Sequence, residues 1–507
     1  MNSYWVDSSN KTNFEKLDQD VHTEVCIIGA GITGISIAYQ LTKQGKKVVL
    51  IDKGHVAMGV TANTTAKITS QHGLFYHYLA MSFGRDTAKA YLDSNQDAIQ
   101  TISHIVSEEK IDCDFEFQDS YVYSNIKTEA AKIADEVNTV KDLGFNAEFV
   151  KQTPLPVPIV AAIRFPNQAQ FHPRKYLLNL VSLIQNRGGQ IYENSKVIDC
   201  KKENNHFITY TENNKIYSDY VVLATHYPIL NFPGFYFLKM YQEKSYLIGV
   251  ETKKPLFDGM YITSESPTLS FRTTNLANNK RLLLIGGSEH KTGATDVPME
   301  NRYQLLEETA KELYPDAKIK YRWSTEDCIT LDKIPYIGNF SSAIPNLYVA
   351  TGFKKWGMTT SQVAATILSE AILGKENSYA CIYNATRFNP IKTSKEFGNM
   401  LKQTTYSLFL NKYSAPSELY ENIANDHGGV VDYQGNKIGV YKDTTGNVYA
   451  VRPYCTHLGC ELSWNNLDKT WDCPCHGSRF DFKGNLITEP SKENLETIDI
   501  ENLKSKG

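Results

Sequence analysis

Glu24-Val-Cys-Ile-Ile28 is an apolar run that stops at Gly29, after which the apolar positions change period and recur at Ile32, Ile35, Ala38 and Leu41. A short unbroken run reads as a strand buried on both faces, and the wider spacing reads as a helix. Gly45 follows, then a second run, Lys47-Val-Val-Leu-Ile51, so the pattern predicts a βαβ unit with parallel strands. Tyr246-Leu-Ile-Gly-Val-Glu251 and Arg281-Leu-Leu-Leu-Ile285 predict an antiparallel sheet. Phe171-His-Pro173 opens a helix, with proline near its first turn, and Gly188-Gly189 ends it. Residues before Val21 read as a polar arm. The pattern changes after Gly374: Thr393 to Lys412 predicts one connecting helix, and Ser414-Ala-Pro416 marks a boundary. From Leu419 onward, short strands punctuated by Gly428-Gly429, Gln434-Gly-Asn436 and Gly446-Asn447 predict a small all-β module.

Composition narrows the function. A chain of 507 residues is too long for one core. Net charge of -3 and a pI near 6.5 give no field that would attract nucleic acid or an anionic bilayer. No basic, apolar leader opens the chain and no apolar run is long enough to span a bilayer, so a cytoplasmic protein without membrane insertion is expected. Five of the nine cysteines, Cys26, Cys113, Cys200, Cys328 and Cys381, are scattered singly, as buried apolar fillers are. The other four fall in one short segment.

That segment carries the strongest chemical signal. Cys455-Thr-His457 and Cys473-Pro-Cys475-His476 supply two thiolates and two imidazoles at a spacing that suits one metal centre. Such a set holds a 2Fe-2S cluster of the Rieske kind, both cysteines on one iron and both histidines on the other. Tetrahedral N/S ligation would also suit zinc. At the other end, Gly29-Ala-Gly31-Ile-Thr-Gly34 joins the first strand to its helix and Asp52 closes the second strand, which completes a dinucleotide fingerprint. The glycines let the backbone approach a pyrophosphate at a helix N-terminus, and the acid bonds a ribose diol.

The C-terminal segment resembles the Rieske domains of respiratory quinol-oxidising complexes. The resemblance implies a Cys460–Cys475 disulfide bridging the two ligand loops and a Ser478 hydroxyl bonded to a cluster sulfur. Those domains have tyrosine where this chain has Phe480, so a lower reduction potential than theirs is expected. The first 375 residues resemble the D-amino-acid oxidase, glycine oxidase and sarcosine oxidase superfamily. The matching pieces are Thr61–Lys67, Lys196-Val197-Ile198, Asp219–Thr225, Asp332–Gly338 and Tyr348–Thr359, the last opening a helix whose N-terminus would face the flavin C2 carbonyl.

The implied fold is an α/β, Rossmann-like FAD-binding domain interrupted by an α+β substrate domain, with a small all-β Rieske domain after it. The expected division is 1–378 for the flavoprotein, 379–418 for the connecting helix and linker, and 419–507 for the Rieske domain. The implied FAD ligands are Gly29, Gly31, Gly34, Asp52, Lys53, Thr64, Thr65, Ala66, Lys67, Val197, Ala224, Thr225, Gly352, Trp356, Gly357, Met358 and Thr359. Thr64 to Lys67 would run past the isoalloxazine, with Lys67 either at the ring or a solvated lysine. Sarcosine oxidases bind flavin covalently through a cysteine in the region of Cys328, but that cysteine would fall at Thr325 here, so a non-covalent flavin is expected. Arg272, Lys354 and Lys355 are the candidates to hold a substrate carboxylate, because an anion in a flavin pocket needs a fixed cation. His226 and His290 read as structural. The resemblance implies hydride transfer from a small amine or amino-acid-like substrate to FAD, with the cluster draining electrons singly to an electron acceptor of unspecified identity. The alternatives are an oxygen-using oxidase whose cluster is structural or sensing, and a non-catalytic carrier or sensor.

Overall fold

The computed structural model describes residues 2–276, 280–294, 300–387, 398, 402, 418–419, 422–433 and 435–499. The predicted connecting helix, apart from residues 398 and 402, and the boundary at Pro416 lie outside the described residues.

Val25–Ile28 is buried at all four positions because it is flanked on both sides by parallel partners, Val48–Ile51 and Tyr220–Leu223. Gln190–Tyr192 and Ile344–Thr351 extend this sheet in parallel, and Tyr336–Ser341 closes it as an antiparallel edge. The helix Ile32–Lys43 packs on the sheet beside the helix Gly357–Ile372, both buried nearly all round with small hydroxyl residues among the apolar ones. A larger mixed sheet roofs this layer. Its strands Lys318–Thr330, Met240–Glu251, Arg281–Lys291 and Leu269–Asn275 are antiparallel neighbours, as the alternation predicts. The predicted helix after Phe171 spans Pro173–Asn186, with His172 capping it by accepting from the Lys175 amide.

One expectation is corrected. The polar arm is not a free tail: Tyr4 and Trp5 are buried, the Trp5 indole donates to the Thr64 carbonyl at 2.7 Å, and the Tyr4 hydroxyl donates to the Asn275 carbonyl at 2.7 Å. Two aromatic side chains outweigh the polar residues around them, because together they remove far more apolar area from water. The packing of the first half also continues beyond 378, where Tyr383 and Ala385 are buried and Arg387 pairs with Asp332 at 2.7 Å.

The C-terminal module is two four-stranded antiparallel sheets apart from one parallel edge pair, Glu418–Leu419 with His427–Tyr433. Trp471, fully buried, packs against Trp464 in its core. The module sits on the roof strands Met240–Glu251 and Lys318–Thr330. Among the described residues no helix is long and apolar enough to cross a membrane.

Candidate active site and metal centre

A cavity of about 520 Å³ runs between the parallel sheet and its roof. At one end Gly29 turns the chain with φ 105°, and a Cβ there would lie 2.5 Å from the Ala224 carbonyl. Gly34 brings the helix onto the loop, for a Cβ there would lie 1.9 Å from the Gly29 carbonyl. Gly31 differs from both. Its missing Cβ would meet only Thr61 Oγ1, at 3.1 Å, so the space beside it is kept open toward the cavity that it lines. Asp52 accepts from the Ala30 and Gly54 amides at 2.7 and 2.8 Å, which fixes its carboxylate in the wall with a lone pair left on each oxygen. An open glycine cradle at a helix start and a fixed acid one strand away fit the pyrophosphate and ribose of a dinucleotide.

At the other end Lys67 lines the cavity, its ammonium donating to the Tyr261 carbonyl and to Ser270 Oγ, each at 2.6 Å. Burial, and then the nearby Arg272, push its pKa well below the ordinary lysine value. Lys355 pairs with Glu243 at 3.1 Å. Burial opposes its charge, yet Glu243, Glu289 and Asp327 together hold its pKa above the ordinary value. Asp327 lines the same wall, and burial pushes its carboxyl up to about 6 against the pull of Lys355. Leu247, Ile262 and Trp356 supply apolar surface.

The metal centre is built from two loops, each closed by its own backbone bonds. Gly459 N donates to the Cys455 carbonyl at 2.8 Å, and Gly477 N donates to the Cys473 carbonyl at 3.0 Å. Cys460 and Cys475 form a disulfide between the loops, and the Cys473 sulfur lies within 4.8 Å of both bridging sulfurs. Cys455 and Cys473 remain free thiols in mutual contact, with Ser478 bonded to Cys455. The His457 and His476 rings stand edge to face 5.1 Å apart, and the Nδ1 atom of each is buried without a hydrogen-bond partner. Two free sulfurs and two orphaned imidazole nitrogens on facing loops fit the donor set that a Rieske cluster needs, with the other two cysteines spent on the bridge.

A family model of the FAD dependent oxidoreductases matches residues 24–371, and a model of the Rieske [2Fe-2S] domain matches residues 417–499. The chain belongs to the FAD dependent oxidoreductase family. This flavoprotein is 38% identical to the Bacillus subtilis (strain 168) protein YhfW, named for a Rieske 2Fe-2S centre, over 98% of each chain. It is 21% identical to the gamma-glutamylputrescine oxidoreductase of Escherichia coli (strain K12), over 76% of this chain and 92% of that one. Its fold matches a crystal structure of glycine oxidase from Geobacillus kaustophilus with TM-score 0.62 and 18% identity, over 73% of this chain and all of the other. The cofactors are FAD and a Rieske-type 2Fe-2S cluster.

Most of the residues singled out in the sequence meet at the flavoprotein's cavity: Gly29, Gly31, Asp52, Lys53, Thr64, Thr65, Lys67, Val197, Ala224, Thr225, Gly352, Lys355, Trp356, Gly357 and Met358 line it. Gly34, Ala66, Thr359, Arg272 and Lys354 do not. Arg272 is the clearest departure. Its guanidinium donates to the carbonyls of Thr65, Ala66 and Phe171 beneath the Trp5 ring, which leaves it serving the loop and not a substrate. Lys354 lies over the Phe75 ring at 3.7 Å, with its pKa pushed down to about 7 by burial and by Lys333. Thr359 Oγ1 donates to the Thr69 carbonyl at 3.0 Å. Lys53 lines the cavity, but its ammonium bonds Glu489 of the Rieske module at 2.9 Å. His290 is bonded at both ring nitrogens, whereas His226 lines the cavity with Nε2 unpartnered. Cys328 is fully buried on the opposite face of its strand from Thr325 and Asp327, which line the cavity. Asp327, Glu243 and Ser270 were not singled out in the sequence; strand alternation around Leu247 places Glu243 and Ser245 on the cavity side.

The Rieske module docks through buried charge. Arg479 pairs with Glu326 at 2.6 Å, Asp468 at 2.7 Å and Asp472 at 2.9 Å, and Lys244, itself fully buried, pairs with Asp468. Gln242 donates to the carbonyls of His476 and Glu489 at 3.1 and 3.0 Å. Phe237 lies edge-on to both cluster histidines, 5.3 Å from the His457 ring and 5.7 Å from the His476 ring.

Proposed function

We propose that the chain oxidises a small amine or amino-acid-like substrate at the carbon beside its nitrogen, with the electrons leaving singly to a separate acceptor. FAD supplies a hydride acceptor and the cluster a one-electron carrier. The observation that carries this reading is the shared wall. Arg479, Ile487, Thr488 and Glu489 of the Rieske module line the same cavity as the glycine loop, and one side chain of the roof, Gln242, bonds the backbone of a cluster ligand. Similarity to gamma-glutamylputrescine oxidoreductase and to glycine oxidase supports the substrate class.

The residues at the far end suit an amine. An amine gives up hydride only as the free base, and Lys355 in the wall, its pKa held above the ordinary lysine value, is the cation placed to attract a substrate carboxylate. Asp327, with its pKa raised to about 6, can hold a proton close to neutral pH. Leu247, Ile262 and Trp356 exclude water from the reacting carbon.

The test is anaerobic mixing of the full chain with a panel of secondary amines and amino acids while the flavin band is followed. One class should bleach the flavin and then reduce a one-electron dye, and His457→Ala should keep the bleaching but lose the dye reduction. Oxygen consumption at equal rates in the wild type and His457→Ala, with no dye reduction by either, would establish the oxygen-using oxidase instead.

A further inference from the structure

Of the Rieske residues that line the cavity, Ile487 and Glu489 are held beside Asp52, while Arg479 and Thr488 reach Glu326. Lys53, the residue after Asp52, donates to the Ile487 carbonyl at 3.1 Å and to Glu489 at 2.9 Å. Thr488 Oγ1 donates to Glu326 at 3.3 Å, and the Glu489 carbonyl accepts from Gln242 at 3.0 Å. Each residue of the segment Ile487-Thr488-Glu489 therefore lines the cavity and is tied to the flavoprotein half.

We propose that the FAD site is composite. Ile487, Thr488 and Glu489 form the outer wall of its nucleotide end, and the cofactor is retained by domain docking as well as by its own contacts. A ligand in an open groove leaves when its contacts break, whereas one behind a wall leaves only as often as the wall opens. The Lys53–Glu489 pair is half-exposed on its lysine side and is worth little alone. What stiffens the wall lies behind it. Ser491 N donates to Ser478 Oγ at 3.0 Å, which joins the segment to the cluster loop, and that loop is seated by the Arg479 ion pairs and by a backbone approach at Gly293. A Cβ on Gly293, which does not line the cavity, would lie 2.5 Å from Pro474 N.

The experiment measures FAD release from the full-length holoprotein without substrate, as the rise in free-flavin fluorescence after dilution, so it is independent of the proposed amine chemistry. Lys53→Glu and Glu489→Lys each exchange an attraction for a like-charge contact, and each should speed release about fivefold, which is about 1 kcal/mol. The double variant Lys53→Glu/Glu489→Lys should return release to within about twofold of wild type, which is about 0.4 kcal/mol. Gly293→Val, which strains a left-handed turn (φ 76°) as well as wedging the domains apart at a distance from the cavity, should also speed release with its far-ultraviolet circular dichroism unchanged. Wild-type release from both single charge variants, or from Gly293→Val, overturns the proposal. So does a double variant no slower than the singles, because Lys53 would then act on the cofactor directly.

Discussion

Ala66 has no exposed surface and a φ of 58°, in the left-handed region that costs an alanine about 1–2 kcal/mol. Arg272 makes that turn tenable, accepting neither solvent nor substrate but donating to Thr65 O at 3.0 Å and Ala66 O at 2.6 Å. Arg272→Met should therefore lower stability in a denaturant titration by about 3–5 kcal/mol, because it strands buried carbonyls while filling the volume. A second residue gives a pH signature. Asp327 has a folded pKa of about 6 against an ordinary value of 3.8, so the folded chain binds its proton more tightly than the unfolded chain does. Stability at this site is then greatest at low pH and falls as pH rises through the interval between the two values, levelling above the folded one. Asp327→Asn should remove that fall: the variant's melting temperature relative to wild type should climb from pH 4 to pH 6 and be flat beyond pH 7. A difference that is constant with pH would contradict the raised pKa.

At the scale of elements, the βαβ unit depends on two glycines that do different things. Gly34 is a packing requirement, whereas Gly31 keeps the cavity open. Gly34→Ala should impair folding, read as loss of soluble protein or a melting temperature lowered by many degrees. Gly31→Val should leave the fold intact and abolish FAD retention, read by circular dichroism and by flavin released on acid precipitation. These elements were legible in the sequence because their information is local: an apolar run, a change of period, a glycine at each bend and an acid at a strand end. The Cys and His side chains that meet at the two facing loops were legible for the same reason, lying within a few residues of one another on each loop. Arg272 and Asp327 were not. Whether a cation on a strand faces a cavity or a loop's carbonyls depends on which segment crosses above it, and the crossing segments here, Trp5 and Thr65–Ala66, are more than two hundred residues away in the chain. The N-terminal helix Tyr4–Asp7 was missed because its packing is entirely non-local.

At the scale of the molecule, two modules read as separate in the sequence are joined face to face. Gly293 lies against Pro474 and Gly477 against Gln242, where a Cβ would approach to 2.7 Å, so the surfaces meet with no room for a side chain at either point. Between them lie two cations, Lys244 and Arg479, and three carboxylates, Glu326, Asp468 and Asp472, all buried or nearly so. Mobile ions screen charges they can surround, over a Debye length of about 8 Å at physiological ionic strength, and reach a closed cluster of this kind far less. Dissolved salt is therefore a poor lever on this molecule. Small-angle scattering of the full chain should give the same radius of gyration in dilute buffer and in 1 M sodium chloride, and an expansion at high salt would mean that the modules are held at their rim and not at their centre.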